Sequence, residues 1–423
     1  MFSIKYKKLK NGAKIIVARN KNLQSIALSA SFNVGTKNEE NKMPGISHFV
    51  EHLICQNKTL NRRLDISGIL VAGSVYKETT NYSLQTSKNN LYDAFGVFIN
   101  SLLNLNVKNS DIKKEKKIIS EEIKMYQNDD FAVAEDILED LMFPNSYMGK
   151  NLFGTDYSVN ELTKKDIETY HQKYYNPNNL VVCLSGNINL ETERKITKIV
   201  QRQQNKNKAE LPEKFIKKIS SYLDKQKKHL ILKKNKSKQI ETVICYKGFN
   251  IFNKKKYILR LLSIILVHGY NSRLFGKIRE EKGLAYYLNS FCVEYLKSGY
   301  LEIRFTSQKD NLREILEIIG NEIKNISMNG IDEKEITRAK TIFINETNLN
   351  LEDPVILSEY LAGETCLIGK MPDKKEKLFS DIKKITAKDI FKTASQVLTK
   401  ENIYLSMVGN MPVKKELYLK YFS

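Results

Sequence analysis

Residues 48–52 read His-Phe-Val-Glu-His. On a helix, positions i and i+4 lie one above the other on one face. His48 and His52 can therefore hold a single metal ion together. Glu51 stands three residues after His48 and projects over the same face. There it can reach a water at the metal without being a ligand. Two neutral imidazoles leave a zinc ion Lewis-acidic, and a nearby carboxylate can take a proton from the water. The chemistry this spacing suits is metal-assisted hydrolysis.

A hydrolytic zinc takes three protein ligands and a water. The best third candidate is Glu122, on a helix expected over 111–127 (DIKKEKKIISEEIKMYQ) with Asp111 as its N-cap. Glu115 lies two turns earlier on the same face, where it can orient a ligand and tune its basicity. Ile118, Ile119 and Tyr126 are expected to carry that face inward. Glu121 points about a third of a turn away and is the weaker choice. A bland reading stands beside this one: a His pair on a helix is often structural, and Glu-rich helices are often solvated. His171, His229 and His268 have no comparable context and read as structural.

The elements that must position these residues can also be read. PGISHFVEHLICQN (44–57) is expected as a helix, entered through Pro44 and Gly45. Helices are also expected over 256–267 and 272–281, followed by strands in LAYYLNSFCVEY and GYLEIRFTS. A polar stretch around 201–215 nearly bisects the 423-residue chain. The halves on either side echo each other. KIIVARNKNLQSIALSASFNVG matches HLILKKNKSKQIETVICYKG in rhythm. NPNNLVVCLSGNINLE matches TKENIYLSMVGNMPVKK, each a strand closed by Gly-Asn at Gly186 and Gly409. Two matching elements in the same order imply a duplicated α+β unit. The expected domains are 1–205, a linker 206–222, and 223–423.

Composition narrows the classes. Hydrophobic residues make up 41% of the chain, enough for buried cores. The formal net charge is +21, but it is mostly Lys spread along the chain, without an Arg-rich block. A solvated basic surface is expected, and no nucleic-acid role. The five cysteines, at 55, 183, 245, 292 and 366, are odd in number and form no CxxC, as reduced thiols would be. No signal peptide, transit peptide or transmembrane stretch is evident. The expected location is the cytoplasm, with an organelle matrix as the other option.

VGTKNEENKMPGISHFVEHLICQNKT resembles the zinc-site region of the insulinase/pitrilysin family, whose inverted zinc motif is HxxEH. Glu115 and Glu122 fit its downstream Glu-x6-Glu pattern. NSRLFGKIREEKGLAYYLNSF resembles the family's second-domain stretch, where an Arg and a Tyr seven residues apart reach the active site. The matching positions are Arg279 and Tyr286. The resemblance spans nearly the whole chain and points to the short, processing-peptidase-like branch. It implies two homologous α/β-sandwich domains, mostly antiparallel sheet with helices packed on it. They would form a half-shell that pairs with a second chain into a closed chamber. It further implies a zinc metalloendopeptidase with one Zn2+ per chain, cutting leader, presequence or small peptides. In it Arg279 binds a substrate carbonyl and Tyr286 the oxyanion. The family often has Gly-Gly-x-x-Asn-Ala-x-Thr where this chain has AGSVYKETT. Tyr76 and Lys77 stand at the Asn-Ala positions, and Tyr76 is a candidate substrate contact. A homodimer is expected, or a heterodimer with a homologous subunit. The alternatives are a partner-dependent or non-catalytic subunit of such a heterodimer and, more remotely, a basic nucleic-acid-binding protein.

Overall fold

The computed structural model describes residues 2–66, 68–69, 71–87, 91–206, 230–411, 418 and 420–422. The expected linker, from 207 onward, and His229 lie outside the described residues. The fold is mixed α+β, with two sheets and helices packed on each.

The first sheet is built from β1 (Ser3–Lys8), β2 (Lys14–Arg19), β3 (Ser25–Phe32), β4 (Val71–Val75), β5 (Thr80–Ser87) and β6 (Leu180–Gly186), in the order β1-β2-β6-β3-β5-β4. The second holds β7 (Leu230–Lys234), β8 (Gln239–Lys247), β9 (Leu288–Glu294), β10 (Gly299–Gln308) and β11 (Ile403–Gly409), in the order β7-β11-β8-β10-β9. Without β1, the two orders are the same. β6 runs parallel to β2 and antiparallel to β3, and β11 runs parallel to β7 and antiparallel to β8. The matching Gly-Asn ends fall at equivalent points. Gly186 has φ 118° and Gly409 φ 150°, backbone that favours glycine. A Cβ on Gly409 would lie 2.6 Å from the Gln239 carbonyl at the start of β8. Gly186 abuts the Ser25 carbonyl at the start of β3 in the same way.

The central strands are buried on both faces, which explains runs such as LVVCLSG in β6. On one face of the first sheet, Leu28, Ala30, Phe32, Val182 and Leu184 pack against Phe49, Val50, Ile119 and other helix residues. On the other, Ile16, Ala18, Val181 and Cys183 meet Leu357, Leu361, Ala362 and Cys366. Those last four lie on the Pro354–Ile368 helix. Asp353 caps it, accepting from Val355 N–H at 2.7 Å and Ile356 N–H at 3.1 Å. The Asp130–Met142 helix does the same for the second sheet, packing Val133, Ala134 and Leu138 against Val243, Cys245 and Val408. The compact unit around the first sheet thus includes Asn348–Asp373, and the unit around the second includes Met125–Gly149. Both units are discontinuous in sequence, a feature absent from a division into consecutive segments 1–205 and 223–423.

His171 and His268 have structural partners. His268 Nε2 lies 3.0 Å from Glu346. His171 is 2% exposed, stacks on Tyr175 at 4.8 Å and donates from Nε2 to the Leu102 carbonyl at 2.8 Å. Burial pushes its pKa down to about 4. In an unfolded chain a histidine titrates near 6.5, so the folded state binds this proton more weakly. Its contribution to stability is complete above about pH 6.5 and is lost as pH falls toward about 4. The gap corresponds to about 2–3 kcal/mol by pH 4.5. Urea unfolding of the wild type should therefore lose more stability between pH 7 and pH 4.5 than that of His171→Asn. Equal losses would rule this contribution out.

Candidate metal centre

The helix bearing the motif is Ile46–Cys55. It is started by Gly45, with φ 87°, beyond which a Cβ would press on the Phe153 backbone. The Glu39 carboxylate accepts from the Gly45 and Ser47 N–H groups, at 3.0 Å each. A negative group there satisfies the free donors and suits the positive end of the helix. Ser47 Oγ is 2.8 Å from the Tyr170 hydroxyl, and the Phe153 ring meets His48 edge-on at 4.8 Å. The helix is therefore pinned at the turn that carries the first histidine.

The second contributor is the Asn109–Gln127 helix. It begins two residues earlier than expected. Asp111 is inside the first turn rather than at the cap, and accepts from Lys108 N–H at 3.1 Å. Its buried residues are Ile112, Glu115, Ile119 and Ile123, at helical spacing. Ile118 is exposed, contrary to expectation, because the inward face passes through Ile119 instead. Glu121 points outward and pairs with Lys124 at 2.7 Å.

The structure brings five of the candidate residues together. Glu122 Oε2 lies 3.2 Å from His52 Nε2 and 3.7 Å from His48 Nε2. The histidine rings are 4.5 Å apart. Glu115, 2% exposed, places Oε2 3.4 Å from His52 Nδ1, on the far side of that ring. Glu51 closes the group: ligand atoms of His48, Glu51 and His52 all lie within 4.8 Å of one another.

Charge follows from these contacts. Burial, helped by the neighbouring His52, lowers the His48 pKa to about 4 and keeps that ring neutral. Burial also opposes charge on His52, but the Glu115 and Glu122 carboxylates outweigh it and raise its pKa to about 9. His52 in turn holds Glu122 below the usual carboxylate range. Burial raises Glu51, making it a stronger base than an exposed carboxylate. A divalent cation would replace the proton on His52 and meet a charged Glu122 and a neutral His48. Glu122 Oε2 and His48 Nδ1 are buried without a hydrogen bond of good geometry. Two imidazole Nε2 atoms, 3.2 and 3.7 Å from one carboxylate oxygen, make with it a donor set that fits zinc.

Two neighbours escaped the sequence reading. Gly73 of β4 lies against Glu51: a Cβ there would overlap Glu51 Oε1 and sit 2.6 Å from Cys55 Sγ. A glycine inside a strand is the available signal for such a close approach. The other is Cys55 itself, four residues after Glu51. Tyr76 lies at the turn after β4, 52% exposed, with its N–H bonded to the Thr79 carbonyl at 2.8 Å. Lys77 is buried beside it.

Arg279 and Tyr286 belong to the other unit. Arg279 sits in a π-helical segment, Gly276–Glu281, its guanidinium 5.0 Å from both the Phe275 and Tyr286 rings. Helix was expected over 272–281, and helix is found there: a short α-helical start at Arg273–Phe275 runs into this π segment. Tyr286 precedes β9 and is 85% exposed.

Residues 14–156 match the family described as Insulinase (Peptidase family M16), and residues 161–343 match the Peptidase M16 inactive domain. The chain belongs to the insulinase/pitrilysin family. It is 26% identical over 414 residues to the uncharacterized zinc protease YmxG of Bacillus subtilis, covering 95% of this chain and 98% of that protein. It is 24% identical to an uncharacterized zinc protease of Streptomyces coelicolor, covering 96% and 90%. A protease from Helicobacter pylori superposes with a TM-score of 0.83 at 18% identity, over 97% of this chain and all of that one. A peptidase M16 inactive domain from Pseudomonas fluorescens gives 0.85 at 16% identity, over 98% and 100%. Both structures share the fold.

Glu115→Gln should weaken zinc binding about 10–100-fold, as loss of a group that orients a ligand does. Glu122→Ala should weaken it further, and Glu121→Ala should leave it unchanged. Chelator competition on the purified variants measures all three. Equal zinc loss in the Glu121 and Glu122 variants would remove Glu122 from the site.

Proposed function

We propose that this chain is a zinc-dependent endopeptidase acting on peptides or unfolded segments, with one zinc held by His48, His52 and Glu122. The convergence of those three side chains, with the buried Glu51 beside them, carries the reading. Membership of a peptidase family and relatives named zinc proteases support it.

Bound there, zinc would supply Lewis acidity toward a water and toward the scissile carbonyl. Glu51 takes the proton of the attacking water and returns it to the leaving amine. Glu115 holds the His52 ring through Nδ1, so that Nε2 faces Glu122. β4 ends the order of the first sheet, and its Gly73 lies against Glu51. A substrate strand adding to the edge of β4 would run past the base. The sequence resemblance assigns Arg279 to a substrate carbonyl and Tyr286 to the oxyanion; Tyr76, which departs from the family's pattern, is a candidate contact to the substrate chain. Tyr286 is exposed and Arg279 is stacked against it, both compatible with those roles.

Glu51→Gln should keep full zinc and lose hydrolysis of an unstructured peptide by at least about 10²–10⁴-fold. Zinc-dependent cleavage at the wild-type rate in that variant would end the mechanism. Gly73→Ala should also keep zinc but lower kcat, because its methyl displaces the Glu51 carboxylate. The proposal includes a second chain, identical or homologous, closing a chamber around the peptide. Sedimentation of the purified protein should then show a dimer, and a fully active monomer would remove the chamber.

A further inference from the structure

We propose that Cys55 is a positioning residue for Glu51: its thiol and the bare backbone of Gly73 hold the carboxylate from two sides in the orientation that proton transfer needs. This rests on the peptidase reading above and adds to it a residue with no place in the metal motif.

Cys55 ends the Ile46–Cys55 helix, four residues after Glu51, so both side chains share one face. They also share one neighbour. The point where Gly73 would carry a Cβ is overlapped by Glu51 Oε1 and lies 2.6 Å from Cys55 Sγ. The thiol therefore lies beside the Glu51 carboxylate, within reach to donate to it. Behind them the wall is rigid. Tyr82 is paired in register with Gly73, is fully buried, and its hydroxyl is 3.0 Å from that of Tyr175. A carboxylate acting as a base must present one oxygen to the water and must not swing away. Beside Glu51 on this side stand a thiol that can donate and a glycine that leaves room.

Two other roles for the thiol are disfavoured. Burial and the adjacent Glu51 push its pKa far up, so it stays a protonated donor rather than a nucleophile or an oxidation-prone thiolate. Nor does its sulfur join the cluster of metal-binding atoms formed by His48, Glu51 and His52.

The experiment compares wild type, Cys55→Ala, Cys55→Ser and Glu51→Gln as full-length, zinc-loaded proteins. With a fluorogenic unstructured peptide, Cys55→Ala should keep zinc content and KM while kcat falls about tenfold or more. Cys55→Ser, which restores a donor, should recover most of that loss. Wild-type kcat in Cys55→Ala, or a loss that serine does not recover, overturns the proposal. Infrared spectroscopy supplies a readout independent of activity. The S–H stretching band that Cys55→Ser removes should move to higher wavenumber in Glu51→Gln, because a neutral amide accepts more weakly than a carboxylate. An unmoved band overturns the proposal. A wild type that cleaves no peptide would defeat the peptidase reading, while the infrared result would still decide whether Cys55 and Glu51 are bonded.

Discussion

Burying an ionisable side chain is costly unless a partner meets it, and the first unit buries Glu39, His48, Glu51 and Glu115 on or around one ten-residue helix. Each has its own answer. Glu39 takes the N–H groups at the helix start. Glu115 faces His52. His48 stays neutral. Glu51 lies beside the Cys55 thiol. The Glu39 and Glu115 contacts fail if the helix shifts along its axis, because each joins the helix to a residue outside it. The geometry at the metal-binding atoms is thus a by-product of satisfying buried charge, and it extends to a sheet strand, a second helix and the loop at Phe153.

The duplicated topology shows what the site adds to a common frame. The helix that follows β3 in the first unit carries the motif. Its counterpart after β8, Lys256–Val267, reads KYILRLLSIILV and is buried at ten of its positions. That helix contains no His and no Glu. The same strand order therefore holds both, and of the two helices only the first carries the His and Glu of the motif. That asymmetry fits a repeat in which one copy keeps the chemistry.

Helical spacing made much of this visible beforehand. It placed His48, Glu51 and His52 on one face and preferred Glu122 to Glu121, because those inferences need only the pitch of a single helix. It placed Ile118 wrongly, since residues 118 and 119 differ by one position and the inward face is decided by what the helix packs on. The strand ends at Gly186 and Gly409 were legible because a local backbone demand leaves a local residue signature. The two helices that join the remote unit were not. DFAVAEDILEDLM and PVILSEYLAGETCLI specify an apolar face and a cap, and nothing in either names the sheet it will cover. The Cys55 and Gly73 contacts were hidden for the same reason, since they depend on a helix and a strand meeting.

Gly73 carries two demands at once. A base on a helix needs an adjacent backbone close enough to confine its carboxylate, and only a residue without a Cβ permits that approach. The strand that supplies it, β4, is also the one at the end of the sheet order, where an added strand could pair. An extended substrate on that edge would have its backbone set by the same main chain that confines Glu51. Base and scissile bond would then be located by one strand instead of two independent supports, so errors in their relative position would be small. The close approach of Glu51 and Cys55 accounts for a residue with no side chain in a strand that otherwise gains from β-branched residues.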